Sequence, residues 1–275
     1  MLKFVAKNNN LHISGVTNFS LSETLDCGQA FRWKEKEKGV WCGVARDKYL
    51  ELELIDDTLI LYNTSLLDYK AFWENYFDLK TDYGEIISKI SHNPILKEAA
   101  KLGTGIRILR QDSWEALCSF IFSQNNNIER IKGIIERLCE NFGQQINGGF
   151  SFPSPKTISV LTPEDLAVLR CGFRAKYIID AAKKVSDNTI NLTELKDLPF
   201  DTAKNELLKI YGVGSKVADC ALLYGLGHLA AFPKDVWINR ALDVLFNGHL
   251  PESQSEYAGI YQQYIFYYAR YINFK

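Results

Sequence analysis

Lys216 and Asp235 are the two side chains whose types and surroundings fit covalent chemistry. Lys216 lies in LLKIYGVGSKVADCALL, Leu207 to Leu223. Leu207, Leu208 and Tyr211 close an apolar face, Gly212 and Gly214 flank Val213, and Val217, Ala218, Ala221 and Leu222 recur at helical spacing. This reads as helix, tight glycine turn, helix, with Ser215 as the expected N-cap of the second helix. Such a turn aims free amides at whatever lies in front of it, and a phosphate suits them. A lysine amine becomes a nucleophile once uncharged, and it forms Schiff bases with carbonyl carbons. Burial at a helix N-terminus disfavours its charged form on both counts. Asp235 supplies an anion that can steady a developing cation. The reach is sufficient: a helix from Ser215 to about Leu226 rises roughly 17 Å, and Gly227 to Lys234, if extended, returns about 26 Å. Asp235 also precedes Ile238, Ala241, Leu242 and Leu245, so it doubles as an N-cap. Asp219, three residues after Lys216, is the rival acid, with a simple ion pair as its plainer role.

The chain that must position these groups has 275 residues, 47% hydrophobic and 24% charged, an ordinary globular composition with length for two cores. No apolar run reaches membrane-spanning length, so no membrane partner is expected. The opening MLKFVAKNNNLHIS lacks a secretory apolar region, which predicts an intracellular protein. Six scattered cysteines form no C-x-x-C pair and read as free thiols in a reducing compartment. His12, His92, His228 and His249 show no ligand spacing, so neither a metal nor a resident cofactor is expected. A net charge of −1 argues against a uniformly basic nucleic-acid binder; any such surface must be a local patch.

VWCGVA (40–45), YLELEL (49–54) and TLILY (58–62) read as strands, with turns at Arg46-Asp47-Lys48 and Asp56-Asp57. From Leu66 the period becomes helical, and Tyr69, Phe72, Trp73 and Phe77 form a core stripe. Gly103 to Gly105 is the expected boundary. Beyond it, Ser113 opens a helix with Trp114, Leu117, Phe120 and Ile121 as its buried stripe, and Asn125-Asn126-Asn127 break it before a helix from Ile128 to Asn141. Thr162-Pro163-Glu164-Asp165 starts another helix. The expected fold is α+β: an antiparallel sheet domain with flanking helices at 1–104, then a mainly α-helical domain at 105–275.

The wording GVGSKVADC, followed by FPKDV at 232–236, closely resembles the bifunctional 8-oxoguanine DNA glycosylase/lyases. They belong to the helix-hairpin-helix (HhH-GPD) superfamily of base-excision repair. Four further motifs carry the resemblance over nearly the whole chain: CGQAFRW (27–33), SQNNNIER (123–130), CGFR (171–174) and AGIYQQYIF (258–266). It implies a monomer acting on double-stranded DNA that contains oxidised guanine, preferentially opposite cytosine. The nucleotide leaves the duplex, Lys216 displaces the base, and the resulting Schiff base permits β-elimination of the strand. The resemblance assigns Gly28 a carbonyl that accepts from N7–H of the oxidised base; ordinary guanine has only an acceptor there. Cys220 and Phe266 would flank the base and Gln262 would bind its Watson–Crick edge. Asn125 would enter the vacated space, Arg130 and Arg174 would read the opposite cytosine, and Phe173 would wedge into the stack. Gly212 and Gly214 would hold phosphate, with a monovalent cation as the one bound ion that the family suggests. Trp237 stands where animal and fungal members usually carry a phosphate-contacting histidine, and Phe173 stands where the usual wedge is tyrosine. Plainer readings stay open residue by residue: Gly28 as a turn glycine, the asparagines as helix caps, Arg130 as a solvated arginine, and Phe173 and Cys220 as core. For the whole chain the alternatives are a glycosylase for another base and a DNA-binding module without chemistry.

Overall fold

The computed structural model describes residues 2–90 and 93–272; His92 lies outside the described residues. Six antiparallel strands form one sheet in the order β1-β2-β6-β5-β4-β3: β1 Lys3–Lys7, β2 Asn10–Ser14, β3 Trp33–Glu37, β4 Val40–Ala45, β5 Lys48–Ile55 and β6 Thr58–Leu61. Two-residue loops close the β4–β5 and β5–β6 hairpins, with Ala45 paired to Lys48 and Ile55 to Thr58. Arg46 and Asp56 take φ of 60° and 51° in these loops, the left-handed backbone that such turns require. The alternating apolar set of β2, β5 and β6 packs on Trp33, Tyr69, Trp73 and Phe77. The 66–76 stretch is helical through a π-turn at Tyr69–Trp73, and Phe72 is only partly buried beside that core.

A second, larger core is helical. Helix Ser113–Phe122 is buried at all ten positions, so the four-residue stripe expected from its periodicity is too narrow: packing surrounds the helix on every side. It starts at Ser113 as expected and is capped by Asp112, whose carboxylate accepts from the Trp114 and Glu115 amides. Helix Ser215–Leu226 packs along it. Around this pair lie helices Ile128–Phe142, Arg174–Ser186, Phe200–Leu207, Val236–Phe246 and Ala258–Ile272. Helices Tyr83–Ser88 and Pro94–Leu102 also join this core, and the latter packs on helix Ala258–Ile272. The Thr162 start leads into a short 3-10 turn, Asp165–Leu169, in which the Thr162 hydroxyl and the Asp165 carboxylate cap one another's amides.

The Cys27–Trp33 stretch links a short helix to β3. It leaves the short helix Leu21–Leu25, turns at Gly28 with φ of 89°, and enters β3 only at Trp33. Cys27 and Phe31 belong to the helical core, so the sheet domain reaches across to the helices through this turn.

Candidate active site

Helix Ser215–Leu226 is capped by the residue before Ser215, not by Ser215 itself. Gly214 is the N-cap at φ −99°, ψ 179°, and no side chain caps the first amides. The Ser215 hydroxyl turns to Asp219 Oδ2 at 3.4 Å. The amide end is therefore left for an external acceptor. Gly212 takes φ of 81°, and the ring of Tyr177 sits where a Cβ would project, 2.3 Å from that position. Asp180 fixes the turn from the neighbouring helix: its Oδ2 accepts from the Tyr211 amide and from Lys184 Nζ, both at 2.7 Å.

Lys216, in the first turn, is half-buried. Its Nζ donates to Ser123 Oγ at 2.9 Å and lies 5.2 Å from the centre of the Phe120 ring. Asp235 caps helix Val236–Phe246, with Oδ1 accepting from the Ile238 amide at 2.8 Å. Both line one pocket of about 50 Å³ together with Gly28, Cys220, Gln262 and Phe266. All four residues expected around the base thus meet the expected lysine–aspartate pair. Asp219 is elsewhere engaged: it is buried and pairs with Lys204 Nζ at 2.7 Å, so the ion pair expected of it forms with a different lysine. Burial pushes the Cys220 thiol up to about 11, with Lys216 opposing and Asp235 adding to the rise.

Gln262 is 4% exposed; its Nε2 donates to the Pro233 carbonyl at 3.2 Å, and its Oε1 is buried with no partner. A buried acceptor without a donor is costly, so the pocket suits a ligand that presents N–H there. Gly28 lies 3.7 Å, by its missing Cβ, from Phe266.

The pocket opens into a cleft of about 980 Å³ lined by Ser123, Asn125, Gly214, Lys234 and Trp237 among others. The three asparagines divide their work. Asn127 caps helix Ile128–Phe142 through the Arg130 amide, Asn126 donates to the Phe122 carbonyl, and Asn125 is exposed with φ of 46°. The cap reading is thus true of Asn127, while Asn125 is left at the cleft. Arg174 is 4% exposed and donates to the Gln124, Asn125 and Cys171 carbonyls, so it holds the asparagine turn from beneath. Burial and the nearby Arg130 charge hold Arg174 below its usual range. Arg130 is exposed, and Phe173 is 51% exposed with its ring edge-on to Tyr177. Phe173 is therefore not a core residue. Arg130, Phe173, Arg174 and Gly212 lie outside the pocket and cleft linings.

Sequence reasoning missed Phe120, Ser123, Tyr224, Pro233 and Gln263 at this site. Tyr224 follows Lys216 by two helical turns, a spacing that signals a shared face; Ser123 and Gln263 lie inside the SQNNNIER and AGIYQQYIF motifs, but sequence reasoning draws no role for them there. Among the described residues no group of three or more His, Cys, Asp or Glu could hold a metal ion, and no helix is long and apolar enough to cross a membrane.

Comparison with known proteins matches residues 12–117 to the 8-oxoguanine DNA glycosylase N-terminal domain and residues 118–258 to the HhH-GPD superfamily of base excision DNA repair proteins. The N-glycosylase/DNA lyase of Saccharomyces cerevisiae is 35% identical over 253 residues, which cover 80% of this chain and 66% of that one. The chain thus spans just under two thirds of the length of this curated relative. MBOgg1, solved with a low-affinity DNA ligand, is 44% identical with a TM-score of 0.94 over 99% of both chains. The 8-oxoguanine glycosylase/lyase of Clostridium acetobutylicum, solved with double-stranded DNA carrying cytosine opposite 8-oxoguanine, is 36% identical with a TM-score of 0.92, covering 99% of this chain and 98% of that one. A six-stranded sheet domain, a hairpin that presents Lys216 and a shared pocket with Asp235 thus coincide with both domain matches, and the chain belongs to the HhH-GPD superfamily of base-excision DNA repair proteins, in the group that carries an 8-oxoguanine DNA glycosylase N-terminal domain.

Proposed function

We propose that this protein is a bifunctional DNA glycosylase that extrudes 8-oxoguanine opposite cytosine, excises it and nicks the abasic strand. One observation carries the reading: Lys216, Asp235, Gly28, Cys220, Gln262 and Phe266 come from four separate stretches of chain and line one pocket. A base must leave the duplex before C1′ is accessible. Breaking the C1′–N9 bond sends its electron pair to the base and leaves positive charge on the sugar, beside Asp235. The uncharged Lys216 amine bonds to C1′. Ring opening then moves the C1′–O4′ pair to O4′, which takes a proton, and leaves a Schiff base. Loss of a C2′ proton expels the 3′ phosphate by β-elimination, and water releases the lysine.

At N7 the oxidised base carries a proton that guanine lacks, and the Gly28 carbonyl is its proposed acceptor. The orphaned Gln262 Oε1 suits an N–H on the Watson–Crick edge, and Phe266 offers a stacking face. Gly212 and Gly214 would present amides to the backbone with Trp237 beside them, Phe173 would enter the stack, and Asn125, Arg130 and Arg174 would occupy and read the opposite side. We assign the protein to act as a monomer on double-stranded DNA. A monovalent cation held at the Gly212–Gly214 turn would add positive charge toward a phosphate. Replacing potassium by choline at constant ionic strength should then weaken binding.

Borohydride trapping tests the reading. Duplex with 8-oxoguanine opposite cytosine should give a covalent adduct with the wild-type protein and none with Lys216→Gln. A DNA-binding module would give no adduct with either.

A further inference from the structure

A continuous hydrogen-bonded relay runs from the lysine helix to the Gly28 turn. The Tyr224 hydroxyl donates to Gln263 Oε1 at 2.5 Å, and Gln263 Nε2 donates to the Cys27 carbonyl at 3.2 Å. Tyr224 stacks on Phe120, ring centres 5.1 Å apart. Both relay residues are nearly fully buried, at 4% and 2% exposure, and both line the pocket. The direction of the relay is fixed by chemistry. A carbonyl can only accept, so the Gln263 amide must present N–H to Cys27 and turn its oxygen to the tyrosine.

The Cys27 carbonyl lies in the peptide that leads into Gly28. Gly28 has φ of 89° and no side chain, so its own torsions do little to hold the next carbonyl in place. The far side of the turn is anchored independently. The Gln29 side chain is wholly buried, donates to the Thr24 and Arg107 carbonyls and accepts from the Leu109 amide, and its backbone carbonyl accepts from Gln111 Nε2. On the near side, Gln263 is the side chain that holds the Cys27 carbonyl. Asp26, the preceding residue, pairs with Lys132 at 2.8 Å, and its carboxylate has no hydrogen to donate to that carbonyl.

We propose that Gln263, oriented by Tyr224, is a positioning residue for lesion specificity: it sets the plane of the Cys27–Gly28 peptide and thereby aims the Gly28 carbonyl at N7–H of the oxidised base. The inference rests on the proposed role of Gly28. It separates Gln263 from Gln262, its neighbour in sequence, which meets the base directly.

The test is equilibrium binding in a Lys216→Gln background, which cannot turn over. Two duplexes are compared opposite cytosine: 8-oxoguanine, and 8-oxo-7-deazaguanine, which carries C7–H where the lesion has N7–H. Gln263→Leu should weaken binding of the lesion by about five- to tenfold, the worth of one buried hydrogen bond, and leave binding of the analogue unchanged. Tyr224→Phe removes a single hydroxyl, should give a smaller loss confined to the lesion, and carries the test if Gln263→Leu does not fold. Equal weakening of both duplexes, or of neither, overturns the inference. If the Lys216→Gln protein itself does not prefer the lesion to the analogue, the role of Gly28 fails and this inference with it. If it does, the variants judge Gln263 alone.

Discussion

Lys216 Nζ and Ser123 Oγ meet at 2.9 Å, and the same hydroxyl donates to the Phe120 carbonyl at 2.7 Å. The serine is thus held by its own helix end and offers its lone pair to the lysine, which fixes where the amine waits. Ser123→Ala removes that acceptor without opening a cavity larger than one oxygen. Single-turnover trapping with borohydride should slow by about two- to tenfold, with the unfolding midpoint little changed. A rate equal to wild type would show that the contact does not position the amine.

The helix cap made by Asp235 and the electrostatic role proposed for it are separable. Asparagine caps a helix nearly as well as aspartate, so Asp235→Asn keeps the bond to the Ile238 amide and removes only the charge. Stability should stay within about 0.5 kcal/mol, while base excision falls by roughly a hundredfold, the scale of losing one preorganised electrostatic group. Chemical denaturation and single-turnover excision, run on the same preparation, separate the two.

These two positions also show what is legible in a sequence. The glycine spacing before Lys216 and the cap pattern after Asp235 are local signals, and the strand alternation of 49–54 is another; each survives into the structure. Gln262 and Phe266 are local as a pair at one helical turn, but their meaning comes only from motif resemblance. Ser123 and Gln263 also stand inside motifs that carry the resemblance, but nothing there signals their partners, which lie 93 and 236 residues away. The same limit explains Asp219. Its neighbour in sequence is Lys216, but the hairpin fold brings Lys204 to it instead. Gly214 displaces Ser215 as the cap because the extended residue that ends the turn is the glycine.

The two hairpin glycines should respond differently to alanine. At Gly212 the left-handed φ and the Tyr177 ring both oppose a Cβ, whereas at Gly214 nothing lies within 4 Å and the backbone is extended. Gly212→Ala should cost about 1–3 kcal/mol of stability and weaken DNA binding. Gly214→Ala should cost about 1 kcal/mol or less, as alanine is merely a poor cap. Urea unfolding of the two variants decides this; equal costs would mean that the Tyr177 ring yields freely.

Arg130 and Arg174 are both assigned to the base opposite the lesion, but only Arg174 is built into the fold. Arg130→Ala should leave stability within about 0.5 kcal/mol and relax the preference for cytosine over adenine. Arg174→Ala strips donors from the Gln124, Asn125 and Cys171 carbonyls and should cost about 1–3 kcal/mol besides relaxing the preference. Excision opposite each base, set beside thermal unfolding, distinguishes a reading residue from one that also supports the turn. An unchanged preference in both variants would remove the arginines from opposite-base reading.

Glu115 supplies a pH signature of folding away from the pocket. It is buried, its Oε2 lies 3.2 Å from Arg32 Nη1, and Arg32 also donates to the Phe150 carbonyl, so the pair ties the end of the Gly28 stretch to helix Ser113–Phe122. Burial raises the Glu115 carboxyl from 4.5 to about 7, and the Arg32 charge only partly offsets it. Between these values the folded state binds more protons than the unfolded state, so this group's contribution to stability is full below about 4.5 and is lost as pH rises through about 7. Glu115→Gln keeps an acceptor for Arg32 and does not titrate. The difference in unfolding free energy between variant and wild type should therefore shift in the variant's favour by up to about 1.4 kcal/mol per pH unit across that window and level off above it. Other carboxylates titrate alike in both proteins and cancel. A difference that stays flat from pH 4.5 to 7 would mean that Arg32 keeps Glu115 ionised throughout.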